Sequence, residues 1–159
     1  MKSIQFIGFF LVFLFSFQTG NTQIKIYEKF DAFDKEVLQH IDADETIIIN
    51  FWATWCKPCV KELPYFEAIT EEGKYKVVLV SLDFQKNIDN RLLPFIEDRQ
   101  LQSEVMALTD PKYNDWIDRV DPQWSGAIPA TLFYKNGQKL FKEKSYHSKD
   151  EILGDLNSF

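Results

Sequence analysis

Thr46-Ile47-Ile48-Ile49-Asn50-Phe51-Trp52-Ala53-Thr54-Trp55-Cys56-Lys57-Pro58-Cys59 is the stretch that decides the fold. From Thr46 to Trp52 it is β-branched and almost continuously apolar, the pattern of a strand covered on both faces. The pattern then breaks, and Lys57 to Glu72 carries apolar side chains at Val60, Leu63, Phe66 and Ile69, which share one face of a helix. Lys76-Val77-Val78-Leu79-Val80-Ser81-Leu82 repeats the buried-strand pattern. Strand, helix and strand in that order pair in parallel through a right-handed crossover. Residues 46–82 therefore predict the centre of an α/β sheet.

Working outward, Ala130–Tyr134 and Gln138–Lys142 flank Lys135-Asn136-Gly137, and Asn-Gly between two such runs is a hairpin signal. That pair is antiparallel, so the sheet is mixed. Ser148 followed by Glu151 is a capping-box pattern opening a last helix with Ile152, Leu153 and Leu156 on its apolar face. Upstream, a short strand at Ile24–Tyr27 precedes an amphipathic helix carrying Phe30, Phe33, Val37, Leu38 and Ile41. Between Leu82 and Ile128 lie a helical stretch around Leu92–Leu101, a short strand at Glu104–Leu108 and the segment Pro111–Val120. Trp116 and Trp124 are expected to pack this interval against the core, the alternative being a partner surface near Pro129. With no repeat and no Pro/Gly-rich linker, one domain accounts for the body of the chain.

Composition narrows the function. The chain has 159 residues, a length that fits one domain, with 18 Lys+Arg against 24 Asp+Glu for a net charge of −6. No basic run is long enough to follow a phosphate backbone, so nucleic acid is not an expected partner. Of the 15 Phe, six fall in residues 1–22 at positions 6, 9, 10, 13, 15 and 17, and Lys2 is the one charged side chain there. The apolar run Ile4–Phe17 is shorter than the about 20 residues a membrane span needs and reads as the core of a signal peptide. Cleavage is expected before Gln23, leaving residues 23–159 as the mature domain; the alternative is an uncleaved N-terminal anchor. Either way the domain is exported, to a periplasmic or other extracytoplasmic location.

The two cysteines, Cys56 and Cys59, sit where a strand gives way to a helix. A thiol at a helix N-terminus faces unpaired backbone N–H groups and the positive end of the macrodipole, which favour thiolate over thiol. Cys56 is thus expected to be the acidic, exposed thiol and Cys59, one turn on, the inward one. Pro58 lies in the first helical turn, where its missing N–H costs nothing, and with Lys57 forms the active-site loop. Zinc needs two further ligands, and His40 and His147 form no ligand pair, so no metal and no organic cofactor are expected. His40 reads as a helix-end residue and His147 as a surface residue. A purely structural disulfide closing so short a loop would remove little chain entropy.

Asn50 through Cys59, followed by Glu62-Leu63-Pro64 and later Ile128-Pro129-Ala130-Thr131, closely resembles the thioredoxin superfamily, and more narrowly its exported TlpA/ResA-like thiol-disulfide oxidoreductases. The resemblance implies a thioredoxin fold, a central mixed β-sheet flanked by helices, with a TlpA-like insertion before the cis-proline. It implies Cys56 as attacking thiol, Cys59 as resolving thiol and Pro129 as the cis-proline. Ile128 would offer its backbone to the substrate, with Trp55 beside it in the substrate-binding surface. Pro64 matches a structural proline within the active-site helix. Asn50 stands where cytosolic thioredoxins carry a proton-moving Asp, and the role passes by expectation to Glu62, at i+3 from Cys59 on the same face. Burial would raise the Glu62 pKa toward neutrality; the alternative is an exposed glutamate paired with a lysine.

The expected activity is reduction of disulfides in exported proteins by a monomer, with a membrane thiol reductase as electron donor and apocytochrome c among the substrates implied by the family. Alternatives on the same fold are a thiol oxidant or disulfide isomerase, or a non-catalytic peptide-binding module.

Overall fold

The computed structural model describes residues 24–159. The expected leader, residues 1–22, lies outside the described residues. In chain order the elements are β1 (Lys25–Tyr27), α1 (Phe30–Glu36), β2 (Ile47–Trp52), α2 (Lys57–Glu71), β3 (Lys76–Ser81) and α3 (Leu93–Arg99). They continue with β4 (Glu104–Leu108), α4 (Tyr113–Val120), β5 (Ala130–Lys135), β6 (Gln138–Lys142) and α5 (Lys149–Leu156). The strands form one sheet in the order β1-β4-β3-β2-β5-β6. β1, β4, β3 and β2 run parallel, and β5 and β6 antiparallel to their neighbours. This is a thioredoxin fold, with β2 in the interior of the sheet as its apolar run requires.

Alternation along each strand divides the core into two layers. Ile48 and Trp52 of β2, Val77 and Leu79 of β3 and Phe133 of β5 face Leu63, Phe66 and Ile69 of α2 and Ile152 and Leu156 of α5. Ile47, Ile49 and Phe51, with Val78, Val80 and Leu132, face Phe30 and Phe33 of α1 and Trp116 and Val120 of α4. The second layer is largely aromatic. Phe30 stacks on Trp116 with centroids 5.1 Å apart, and Trp124 lies 4.8 Å from Phe51 and 5.8 Å from Trp116. Both tryptophans are buried in the core.

Several elements are shorter than the periodicity predicts. α1 stops at Glu36, and Leu38–His40 form a separate 3₁₀ turn in which the His40 ring lies 2.6 Å from the Lys35 carbonyl oxygen. That contact satisfies a carbonyl at the helix end, where no backbone donor follows. α3 begins after a π-turn at Ile88–Leu92, carries Pro94 in its first turn, and ends at left-handed Gln100 (φ 51°). At the hairpin, Asn136 (φ 52°) and Gly137 (φ 73°) take the two positive-φ positions of a two-residue turn. Ser148 caps α5 by accepting from the Glu151 N–H at 3.2 Å, while the Glu151 carboxylate reaches one residue beyond the cap, to the His147 N–H.

Candidate active site

The site forms at the junction of β2 and α2. Cys56 is the extended N-cap residue of α2, and its sulfur accepts from the Cys59 backbone N–H at 3.3 Å. The helix terminus therefore acts on this sulfur directly. Cys56 and Cys59 form a disulfide with Cα atoms 5.3 Å apart, so the state described is the oxidised one. Pro58 stands in the first turn, and both Lys57 and Pro58 are exposed. Pro64 lies inside α2, which continues unbroken to Glu71.

Cys59 is fully buried, as its inward position predicts. Cys56 departs from expectation, being only 6% exposed. The reason is the segment before β5: Cys56 Sγ lies 3.7 Å from the Ile128 carbonyl oxygen, which covers it. The Ile128–Pro129 bond is cis, with Pro129 buried and Ile128 half-buried. Trp124 Nε1 donates to the Ala127 carbonyl at 2.8 Å, and the Ser125 N–H and hydroxyl donate to Glu143 at 2.7 and 2.6 Å. Gly126 takes φ 92°, which an L side chain rarely adopts. These contacts fix the covering loop from both ends.

On the other side of the disulfide, Asp83 holds the loop that leads into Cys56. Its buried carboxylate accepts from the Thr54 N–H (2.9 Å), the Thr54 hydroxyl (2.6 Å) and the Ser81 hydroxyl (2.8 Å). No motif marks Asp83 in the sequence. Its one signal is its place just past the carboxyl end of a parallel strand, where open α/β sheets build their sites.

Three residues beyond Cys59 on α2, Glu62 is fully buried. Asn50 Nδ2 donates to Glu62 Oε1 at 3.0 Å and the Tyr146 backbone N–H donates to Oε2 at 2.7 Å. Burial pushes the Glu62 carboxyl up to about 7, and the two donors hold it from rising further. Its partners are an amide and a backbone N–H rather than a lysine, which disposes of the exposed-glutamate alternative. Asn50 also donates to Thr131 Oγ1 at 3.1 Å. Thr131 and Tyr146, like Asp83, are set by contacts that no local pattern announces.

Beside Ile128 opens an apolar cleft of about 180 Å³, walled by Trp55, Phe84, Tyr113, Trp116, Ile117 and Trp124 among others, with no charged side chain in its lining. Trp55 (45%) and Phe84 (47%) are among the few large apolar side chains left exposed, and both border it. These two side chains leave aromatic surface open beside the Cys56–Cys59 pair, where an apolar group could be covered. His147, 81% exposed, and His40, in the 3₁₀ turn after α1, take no part in these contacts. Among the described residues no cluster of three or more His, Cys, Asp or Glu is placed to hold a metal.

The thioredoxin family model matches residues 24–92. Thiol-disulfide oxidoreductase ResA of Oceanobacillus iheyensis is 33% identical over 130 residues, covering 78% of this chain and 62% of that protein. The chain thus spans a little under two thirds of that relative's length. Thioredoxin of Buchnera aphidicola subsp. Schizaphis graminum is 31% identical over 105 residues, 59% of this chain and 94% of that protein. Among solved structures, a thioredoxin-related protein from Neisseria meningitidis serogroup B superposes with a TM-score of 0.59 at 22% identity, covering 75% of this chain and 87% of that one. At that identity the likeness is one of fold.

Proposed function

The chain belongs to the thioredoxin family, and from that premise we propose that it reduces disulfides of exported proteins through its Cys56–Cys59 dithiol. The observation that carries this reading is the position of Cys56 Sγ, capped by the first turn of α2 and set against the carbonyl beside the cis-proline. In the dithiol form the helix terminus favours the Cys56 thiolate. That thiolate attacks one sulfur of a substrate disulfide; the new S–S bond joins it to Cys56, the substrate S–S bond breaks, and the departing thiolate takes up a proton. Cys59 passes its proton to Glu62 and attacks Cys56 Sγ. The Cys56–Cys59 bond forms, the second substrate sulfur leaves and is protonated, and two electrons have moved from dithiol to substrate.

Glu62 suits its step because a group with a pKa of about 7 both accepts and returns a proton at neutral pH. An extended substrate segment along the Ile128 backbone would carry a neighbouring apolar side chain into the cleft. Its volume of about 180 Å³ is similar to the roughly 150 Å³ apolar cavity that admits a benzene ring. The bridge must then be reduced again; the family resemblance points to a membrane thiol reductase as donor and to apocytochrome c among the substrates. The leader-like residues 1–22 support export.

Two measurements test the reading. Cys59→Ser should stop the reaction at a Cys56 mixed disulfide that accumulates with substrate; no trapped species, or slow unselective alkylation of Cys56 in the reduced protein, would instead describe a binding module. A redox titration against glutathione sets the direction: a potential near thioredoxin's roughly −270 mV supports a reductant, and one near −120 mV an oxidant.

A further inference from the structure

Asn50 is fully buried on the same face of β2 as Ile48 and Trp52. Its Nδ2 has two N–H groups, and both are used: one on Glu62 Oε1 at 3.0 Å, the other on Thr131 Oγ1 at 3.1 Å. Its Oδ1, by contrast, is buried without a partner. An orphaned buried carbonyl is costly, so the donor side of the amide is the side this site requires. Thr131 is the residue paired with Asn50 across β2 and β5, and it lies two positions beyond Pro129. One amide thus spans from a carboxyl on α2 to the strand that begins just after the cis-proline.

We propose that Asn50 and Thr131 form a positioning pair that sets the proton affinity of Glu62 and ties it to the strand presenting Pro129. The inference rests on the reading of Glu62 as the proton acceptor for Cys59. Donation from Nδ2 favours the ionised carboxyl and opposes desolvation. The Thr131 hydroxyl, by taking the second N–H, keeps the amide from turning away. A displacement at the start of β5, where substrate would lie, therefore reaches Glu62 through Asn50.

The remaining groups around Glu62 leave the pair as the adjustable element. From the segment before α5, Tyr146 gives its backbone N–H, while its phenol is pushed far up by burial and donates to Asp155 Oδ2 at 2.8 Å. Asp155 of α5 is matched by Lys144 at 2.7 Å. On α2, Cys59 precedes Glu62 by one turn. The hydrogen bonds that link Glu62 to β2 and β5 run through Asn50; β2 presents uncharged side chains on that face, and on β5 the one charged side chain there, Lys135, lies four residues beyond Thr131 with its Nζ donating to the Leu156 and Phe159 carbonyls.

The test uses the oxidised protein, in which neither thiol titrates, and follows the Glu62 side-chain carboxyl by ¹³C NMR, with Glu62→Gln assigning the signal. Thr131→Val removes the hydroxyl at nearly constant shape and should raise the Glu62 midpoint by several tenths of a pH unit. Asn50→Leu should raise it by about one unit, a tenfold change in proton affinity, and Thr131→Ser should return it to the native value. A native midpoint in Thr131→Val overturns the pair, and that variant decides the matter even if Asn50→Leu does not fold. Equal turnover of Glu62→Gln and the native protein at every pH would sink the proton-acceptor reading instead, leaving the titration result to stand by itself.

Discussion

Glu62 shows how much one side chain's surroundings decide. A glutamate one turn past a buried cysteine would in water be ionised at neutral pH; here burial lifts it to about 7 while two donors keep the charged form accessible. Glu62→Gln keeps the shape and removes the titratable carboxyl, so under the proposed mechanism reduction of a substrate disulfide near pH 7 should slow by about 10²-fold, with loss of the rate limb centred near 7. Stopped-flow rates across pH 5–9 check this. Asp83 offers a second residue-scale consequence. Asp83→Ala leaves the Thr54 N–H, the Thr54 hydroxyl and the Ser81 hydroxyl without their acceptor, and should lower stability by about 3 kcal/mol in urea unfolding at unchanged m-value. Residues differ in how visible they are beforehand. Cys56 and Cys59 are legible because their chemistry lies in a local spacing at a strand-to-helix junction, and Glu62 because i+3 puts it on the face of Cys59. Asp83 finds Thr54 across 29 positions and Asn50 finds Thr131 across 81. No window of sequence contains such pairs.

At the scale of elements, periodicity identifies β2, α2 and β3 because burial on both faces or on one stripe writes itself into consecutive residues. It does worse where termination depends on side-chain contacts, as at α1, where Val37 to Ile41 keep apolar spacing but leave the α-helix. It also does not reveal what α4 builds. Trp116 and Trp124 are expected from sequence to pack against the core, with a surface near Pro129 as the alternative; both are buried, and with Tyr113 and Ile117 they also wall the cleft that opens toward Ile128, with Phe84 at its border. Phe84 is exposed and belongs to neither core layer, so Phe84→Ala should leave thermal stability nearly unchanged. For peptide disulfides with an aromatic residue next to the reacting cysteine it should raise KM about tenfold with kcat little affected, the cost of losing one apolar contact surface. For peptides with glycine there, the variant and the native protein should have equal KM.

Across the whole molecule, the sheet carries two apolar layers, and the one under α2 contains a group that resists ionisation. Folding therefore links to pH in an unusual way. Glu62 has a folded pKa near 7 against an ordinary 4.5, so between these values the folded chain holds a proton that the unfolded chain has released. Stability from this group is full below about pH 4.5 and falls as pH rises to 7, by about 3 kcal/mol in all, then levels off. Carboxyls held below their ordinary values work in the opposite sense, Asp110 and Asp155 among them. Burial disfavours the charge on Asp110, but the Phe30 and Lys112 N–H groups more than offset it and hold its pKa below the usual range. Asp155 is likewise held low against burial by Lys144 and the Tyr146 hydroxyl. Their contributions are present above the ordinary carboxylate range and are lost as pH falls through their folded values. The oxidised protein should accordingly be most stable near pH 4–5, losing stability on both sides. Denaturant unfolding at fixed temperature from pH 3 to 8 measures the profile, with Glu62→Gln as the comparison. That variant should flatten the limb between 4.5 and 7 and leave the acid limb in place; a neutral limb that persists in Glu62→Gln would mean that another group, not the Glu62 carboxyl, carries the linkage.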